Sequence, residues 1–179
     1  MSSIIDEISE SDALVILRYL IRENPKLIQK IEEIAKKHLS AVNIRDVADD
    51  LYFDLNRLEV EKLWDRSGKT RYGYIDPGEA ADAMFEEVLE PYLDELRKYL
   101  KLSMHKEAKT YCKGLLLGIR KFETESNTEF KSWAIDIPSE RFDELLSIWK
   151  SKQSNQRDIE EMEQFIYSID AERTPAIQE

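Results

Sequence analysis

The segment WDRSGKTRYGYIDPGEAA at residues 64–81 contains the residues that most resemble part of a ligand site. Its SGKT string matches the end of a phosphate-binding loop, but that loop needs another glycine five residues before Gly68, where this chain has Leu63. A calcium loop beginning at Asp65 fails too, because its fifth and sixth positions are lysine and threonine rather than an oxygen ligand and a glycine. The segment is therefore predicted to connect two helices.

Cysteine and histidine offer little further chemistry. Cys112 and His105 are seven residues apart and share a helix face, but two helical turns separate them by about 10 Å. That distance exceeds the hydrogen-bond reach that a nucleophile and its base require. The chain has no C-x-x-C pair and no H-E-x-x-H motif. We predict no metal, no cofactor and no catalytic residue, with Cys112 as a thiol packed in the core.

Acidic side chains recur at helical spacing in two strips. Paired carboxylates in a cleft can perform acid–base catalysis, so a carboxylate-based hydrolase is the third functional hypothesis. The same spacing is typical of a solvated helix face, which is the interpretation we favour. The strips consist of Asp46, Asp49, Asp50 and Asp54, and of Glu79, Asp82, Glu86 and Glu90.

The charges of two neighbouring segments are strongly separated. Residues 76–96 contain eight acidic residues and no Lys or Arg, whereas residues 97–121 contain eight Lys or Arg against Glu107 alone. Either two antiparallel helices place opposite charges side by side, or the basic stripe binds phosphate or an acidic partner. The stripe residues that lie close to one helix face are Lys106, Lys109, Lys113 and Arg120.

Helix signals account for nearly the whole chain. Ser11 or Asp12 caps a helix through Arg22 whose apolar residues surround it on nearly all sides, which predicts a buried helix. Asp76 followed by proline opens a long helix that keeps its apolar stripe through Pro91, where we expect a kink. No segment of useful length alternates apolar and polar residues, so the fold class is all-α.

The connections between these helices are short, which predicts antiparallel helical hairpins. We expect the hairpins to stack as a short α-solenoid, with a compact orthogonal helix bundle as the alternative. Residues 1–150 are predicted to form a single helical domain, followed by a C-terminal amphipathic segment and tail at 151–179.

Composition limits the cellular setting. Among 179 residues there is one cysteine, so no internal disulfide forms, and the N-terminus lacks a charged-then-apolar leader. The longest apolar run is too short for a membrane span. A net charge of −11 opposes general binding to nucleic acid, although a local basic patch stays compatible with it. These features predict a cytoplasmic protein without a membrane partner.

Three strings resemble segments of an uncharacterised all-helical family: ENPKLIQKIEEIA (23–35), LWDRSGKTRYGYIDPGEAA (63–81) and MHKEAKTYCKGLLLGIRKFE (104–123). Its members are similar to short tetratricopeptide- or HEAT-like solenoids, and some lie beside a SWIM-type zinc finger. The resemblance covers residues 11–150 and implies an α-hairpin scaffold used for interaction, with no catalytic residues. This chain lacks the Cys and His ligands of such a finger and does not meet the tetratricopeptide consensus, so no zinc or DNA role carries over.

The leading functional hypothesis is a non-enzymatic interaction module that binds a protein partner or forms a homo-oligomer. Its candidate contact residues are Arg71, Tyr72 and Tyr74, because arginine and aromatic side chains are preferred anchors in interfaces. Leu63 and Trp64 are expected to anchor the preceding helix in the core. The alternative hypothesis is a nucleic-acid-associated accessory protein that uses the basic stripe at 97–121.

Overall fold

The computed structural model describes residues 4–71 and 73–171 of the chain. They form two compact units, the first within Met1–Ala41 and the second within Val42–Glu179. Helices dominate both units, so the predicted all-α class is confirmed. The stacked-hairpin and bundle arrangements both stay predictions.

Eight α-helices and one small antiparallel sheet are present in the described residues. The helices are α1 (Glu10–Glu23), α2 (Leu27–Leu39), α3 (Ile44–Asn56), α4 (Val60–Arg66), α5 (Pro77–Lys101), α6 (His105–Glu125), α7 (Ile137–Lys150) and α8 (Gln156–Ala171). The strands are β1 (Gly68–Thr70) and β2 (Gly73–Ile75), and short 3-10 helices occupy Ile4–Glu7 and Glu129–Trp133.

The predicted start of α5 and its continuation past Pro91 are confirmed, while the kink expected at Pro91 stays a prediction. The side chain of Asp76 accepts a hydrogen bond of 2.8 Å from the backbone N–H of Gly78, which satisfies a donor that the first helical turn leaves free. The helix then continues through Pro91, which is exposed, so water can reach the carbonyl that has lost its partner. The acidic residues of α5 thus belong to one helix of 25 residues.

The first unit consists of α1 and α2, and none of its described residues is buried. The prediction that α1 is a buried helix is therefore wrong for this structure. Two helices in contact can cover only one side of each other, and in α1 that side carries Leu17 and Ile21, which are half-buried. The remaining apolar side chains of α1 are exposed, namely Leu14, Val15, Ile16, Tyr19 and Leu20.

The second unit is organised around α6, which contacts α3, α5, α7 and α8. Its contact with α3 is the most extensive because two glycines let the helix backbones approach. A Cβ atom on Gly114 would lie 2.6 Å from Cβ of Val47, and one on Gly118 would lie 2.9 Å from the carbonyl oxygen of Ala48. The two glycines of this G-x-x-x-G spacing thus form the notch against which α3 packs.

The connection between α4 and α5 contains a β-hairpin that the sequence patterns did not predict. The strands β1 and β2 pair antiparallel, with Lys69 opposite Tyr74. Gly68 begins β1 with a φ of 87°, which favours glycine over other residues. Strands of three residues are too short to show a recognisable alternation, which explains why the hairpin was missed.

Candidate functional site

The side chain of Trp64 lies on the exposed side of α4. Its neighbour Leu63 is fully buried, and each step along a helix turns the side chain by about 100°, so the two residues cannot share a direction. Arg66 holds the same helix against α5 through two hydrogen bonds of 2.8 Å to the carboxylate of Glu87. The expectation that Leu63 anchors α4 is confirmed, but the same expectation for Trp64 is wrong, since Trp64 is 46% exposed.

Trp133 meets Trp64 from the 3-10 helix Glu129–Trp133. The two ring centroids are 4.7 Å apart with an interplanar angle of 79°, an edge-to-face contact. Phe130 is fully buried and fixes the 3-10 helix to the core, whereas Trp133 keeps 37% of its surface exposed. We call Trp64 and Trp133 the aromatic pair. No pattern in the sequence pointed to Trp133, whose only signal is a tryptophan that follows the polar residues Lys131 and Ser132.

The hairpin that follows α4 carries the other predicted contact residues. Tyr74 on β2 is 70% exposed, and Arg71 in the turn is exposed. Tyr72 lies outside the described residues. The hairpin begins two residues after α4 ends, so it is close in the chain to one member of the aromatic pair. The structure thus presents Arg71 and Tyr74 at the surface of the second unit.

Three of the four residues predicted for the basic stripe contact other helices. We call Lys106, Lys109, Lys113 and Arg120 the basic face of α6. The ammonium group of Lys109 lies 2.5 Å from a carboxylate oxygen of Asp158 and 2.5 Å from one of Glu161, both on α8. Burial lowers the pKa of Lys109, but the hydrogen bonds to these two carboxylates outweigh it and raise that pKa above its ordinary value.

Lys113 and Arg120 contact aromatic rings on neighbouring helices, and Arg120 also pairs with a carboxylate. The ammonium group of Lys113 lies 5.1 Å from the ring centroid of Phe165 on α8, and burial lowers the pKa of this lysine. Arg120 stacks 4.4 Å from the ring centroid of Phe142 on α7, and its Nε lies 3.0 Å from a carboxylate oxygen of Asp170 on α8. Of the basic face, Lys106 alone is classed as exposed.

The basic face of α6 is therefore met chiefly by α8, not by the acidic helix α5. Met162 of α8 is fully buried, so apolar packing joins the ion pairs in docking this helix on the second unit. The acidic strips also have ion partners. Arg141 pairs with Asp82 at 2.6 Å, and Lys121 pairs with Asp49. Both strips thus take part in contacts between helices.

Acid should weaken the docking of α8. Hydrogen bonds from Lys109 and Arg157 lower the pKa of Glu161, so their contribution to stability is complete above its ordinary pKa of 4.5 and is lost as the pH falls through the lowered value. At pH 7, Lys109→Met should cost about 1–2 kcal/mol of unfolding free energy, because charge-assisted hydrogen bonds are lost. Urea unfolding at pH 7 and at pH 3 should show a smaller difference at pH 3.

The matched control is Lys106→Met, which removes an exposed lysine from the same helix and should leave stability within about 0.5 kcal/mol at both pH values. If the difference between the wild type and Lys109→Met were as large at pH 3 as at pH 7, the carboxylates of α8 would not be its cause.

A surface pocket of about 520 Å³ is the nearest feature to a carboxylate cleft. Asp54 and Glu87 both line it, but each is engaged. Asp54 accepts a hydrogen bond of 2.7 Å from the hydroxyl of Tyr92, while Glu87 pairs with Arg66. Burial and the hydrogen bond to Asp54 raise the pKa of Tyr92, which makes this tyrosine a poor general acid near neutral pH.

Cysteine and metal chemistry find no support in the geometry. Cys112 is fully buried on α6, and burial raises the pKa of its thiol, which disfavours the reactive thiolate. His105, at the start of the same helix, is exposed. Across residues 4–71 and 73–171, no group of three or more His, Cys, Asp or Glu side chains is placed to hold a metal ion.

Comparison with known proteins identified no relatives. No protein-family model matches the chain, and no curated protein or solved structure is significantly similar to it. Within the part of the chain that the structure describes, no helix is both long and apolar enough to cross a membrane.

Proposed function

We propose that this chain is a non-enzymatic helical scaffold that binds a protein partner through the aromatic pair and the adjacent hairpin. The observation that carries the proposal is the edge-to-face contact of Trp64 with Trp133 at the surface. Two exposed tryptophans in contact present a large, rigid apolar area that loses little conformational entropy on binding. Side chains of this type dominate the energetics of protein interfaces.

The elements beneath the aromatic pair support the same function. Leu63, next to Trp64, and Phe130, three residues before Trp133, are fully buried, so both exposed rings stand on elements fixed to the core. A rigid platform with few rotatable bonds favours specific binding because little ordering is required. Arg71 and Tyr74 add a polar and an aromatic contact on the neighbouring hairpin, together with Tyr72.

Nucleic-acid binding by the 97–121 stripe stays the alternative proposal. It is weaker because Lys109, Lys113 and Arg120 are engaged by α7 and α8, so an anionic ligand would have to compete with these contacts. A carboxylate-based hydrolase is the third. The resemblance to helical-hairpin proteins, the α-solenoid arrangement and a cytoplasmic location agree with a scaffold and are proposed with it.

The test compares the intact chain with a variant that lacks the aromatic pair. Nuclease-treated lysate from the source cells is passed over wild type, Trp64→Ala/Trp133→Ala and the control Tyr167→Ala, which truncates a similarly exposed aromatic residue on α8. A specific partner should be recovered by wild type and control and lost with the double variant. The purified partner should then bind the double variant at least about tenfold more weakly.

The hairpin is tested by single alanine variants at Arg71, Tyr72 and Tyr74. Each should weaken partner binding while it changes unfolding free energy by no more than about 0.5 kcal/mol. Equal recovery of the partner by the double tryptophan variant would refute the proposed surface. A partner recovered only without nuclease treatment would support the nucleic-acid alternative.

A further inference from the structure

The first unit has an apolar face that its own two helices leave exposed. Val15 and Tyr19 are 63% and 61% exposed, and Ile16 and Leu20 beside them are exposed as well. Their spacing of three and four residues places them on one side of α1. That side differs from the side of Leu17 and Ile21, which are half-buried in the hairpin.

A unit of about 40 residues needs an additional source of stability, which is usually a disulfide, a metal ion or oligomerisation. The single cysteine of the chain, Cys112, lies outside this unit, so no disulfide can form within it. Among its described residues there is no cluster of metal-binding side chains. Of these three sources, oligomerisation is the one that the described residues of the unit leave open.

The exposed face has the area that pairing with a second copy requires. Four large side chains, each roughly half exposed, contribute on the order of 400 Å² of apolar surface per chain, comparable to the largest patch on an ordinary monomer. With the polar groups that flank them, two such faces in contact bury roughly 1,000 Å², the lower limit for a specific interface. An isologous contact needs one face that complements itself.

Self-complementarity is visible in the charges of α1. When two copies of α1 are placed antiparallel with the two-fold axis at Leu17, Asp12 of one copy faces Arg22 of the other, and Val15 faces Tyr19. Both charged side chains are exposed in this structure. Two-fold symmetry repeats each pair. In the antiparallel orientation the two helix dipoles also point in opposite directions, which is favourable.

We propose that the face of α1 formed by Val15, Ile16, Tyr19 and Leu20 is a homodimer interface, occupied by the same face of a second copy in antiparallel orientation. This surface is independent of the aromatic pair, which stays available to a different partner. The dimer joins two identical scaffolds through their first units.

The experiment measures the oligomeric state of the full chain by sedimentation velocity over a range of concentrations. Wild type should dimerise, and Tyr19→Glu should weaken dimerisation by at least about a hundredfold, because a charge then enters an apolar contact. The control Tyr167→Ala should dimerise like wild type. Circular dichroism should show unchanged helix content in each variant.

The decisive experiment reverses one charge in each of two variants and then mixes the two variants. Asp12→Arg places four like charges across its own dimer, and so does Arg22→Asp, so each should dimerise at least about tenfold more weakly. An equimolar mixture should form a heterodimer, because each reversed charge then meets an opposite one. The two positions are ten residues, or about 15 Å, apart on one helix, so recovery in the mixture cannot arise within a single chain.

Three outcomes would overturn the proposal. The first is a wild-type monomer at every concentration, with Tyr19→Glu destabilised, which would mean that another part of the same chain covers the face. The second is a dimer unaffected by all three α1 variants, which would place self-association elsewhere. The third is a mixture of the charge variants that stays monomeric, which would refute the antiparallel register. Each leaves the partner test on Trp64 and Trp133 unaffected.

Discussion

Replacing Phe122 with alanine should lower the free energy of unfolding by about 3–5 kcal/mol. Phe122 is fully buried on α6 and makes an edge-to-face contact with Phe85 of α5, with ring centroids 5.7 Å apart. Truncation removes most of the buried side chain and leaves a cavity where α5 and α6 meet, which tightly packed neighbours fill only in part. Urea denaturation followed by circular dichroism measures the loss.

The matched control is the same substitution at Phe53, which lies on α3 and is 61% exposed. Phe53→Ala removes the same atoms, but the main contact it loses is with the guanidinium group of Arg57. The free energy of unfolding should therefore fall by less than about 1 kcal/mol. Equal losses for Phe122→Ala and Phe53→Ala would contradict the packing of α5 on α6.

Replacing Gly114 with valine should cost about 3 kcal/mol, at the upper end of the range for overpacked cores. The added Cβ atom would lie 2.6 Å from Cβ of Val47 and 2.9 Å from the carbonyl oxygen of Ile44, so α3 must move away from α6. A backbone carbonyl has no rotamer by which it could give way. The gain of about 0.5–1 kcal/mol from removing a helical glycine offsets only part of this cost.

Alanine substitutions refine the same prediction. Gly114→Ala and Gly118→Ala should both destabilise, since each added Cβ approaches a carbonyl oxygen of α3 to 2.9 Å. Thr124→Ala, at an exposed position of the same helix, should be neutral within about 0.5 kcal/mol. If Gly114→Ala stabilised the protein in thermal and urea unfolding, the close approach of α3 and α6 would be refuted.

Local signals predicted the elements of this fold well. The Asp76-Pro77 pair marked the start of α5, and the stripe that continues past Pro91 indicated one long helix, as observed. Capping and periodicity depend on residues within a few positions of one another, so the sequence contains all the information that these features need.

The candidate site could be predicted only in part. Residue type alone points to Arg71 and Tyr74, because arginine and tyrosine are preferred interface anchors, and both residues are exposed. The expectation that Trp64 anchors α4 in the core is wrong, because its side chain lies on the exposed side of the helix. Which of two adjacent helical residues turns inward depends on the position of the neighbouring helix, and this is why Trp64 was misplaced and Trp133 was missed.

By itself, the amino-acid sequence determined the all-α class, the start of α5 and the separation of charge between residues 76–96 and 97–121. The predicted cap of α1 at Ser11 or Asp12 is wrong, because the side chain of Ser9 accepts the hydrogen bond from the backbone N–H of Asp12. Only the tertiary structure decided that the basic face of α6 is met by α8, through Asp158 and Glu161, rather than by the acidic helix α5. The physical reason is the distance along the chain between the residues that make each kind of contact. Hydrogen bonds within a helix join residues four apart, whereas Lys109 and Asp158 are 49 residues apart and meet because packing around α6 brings them together.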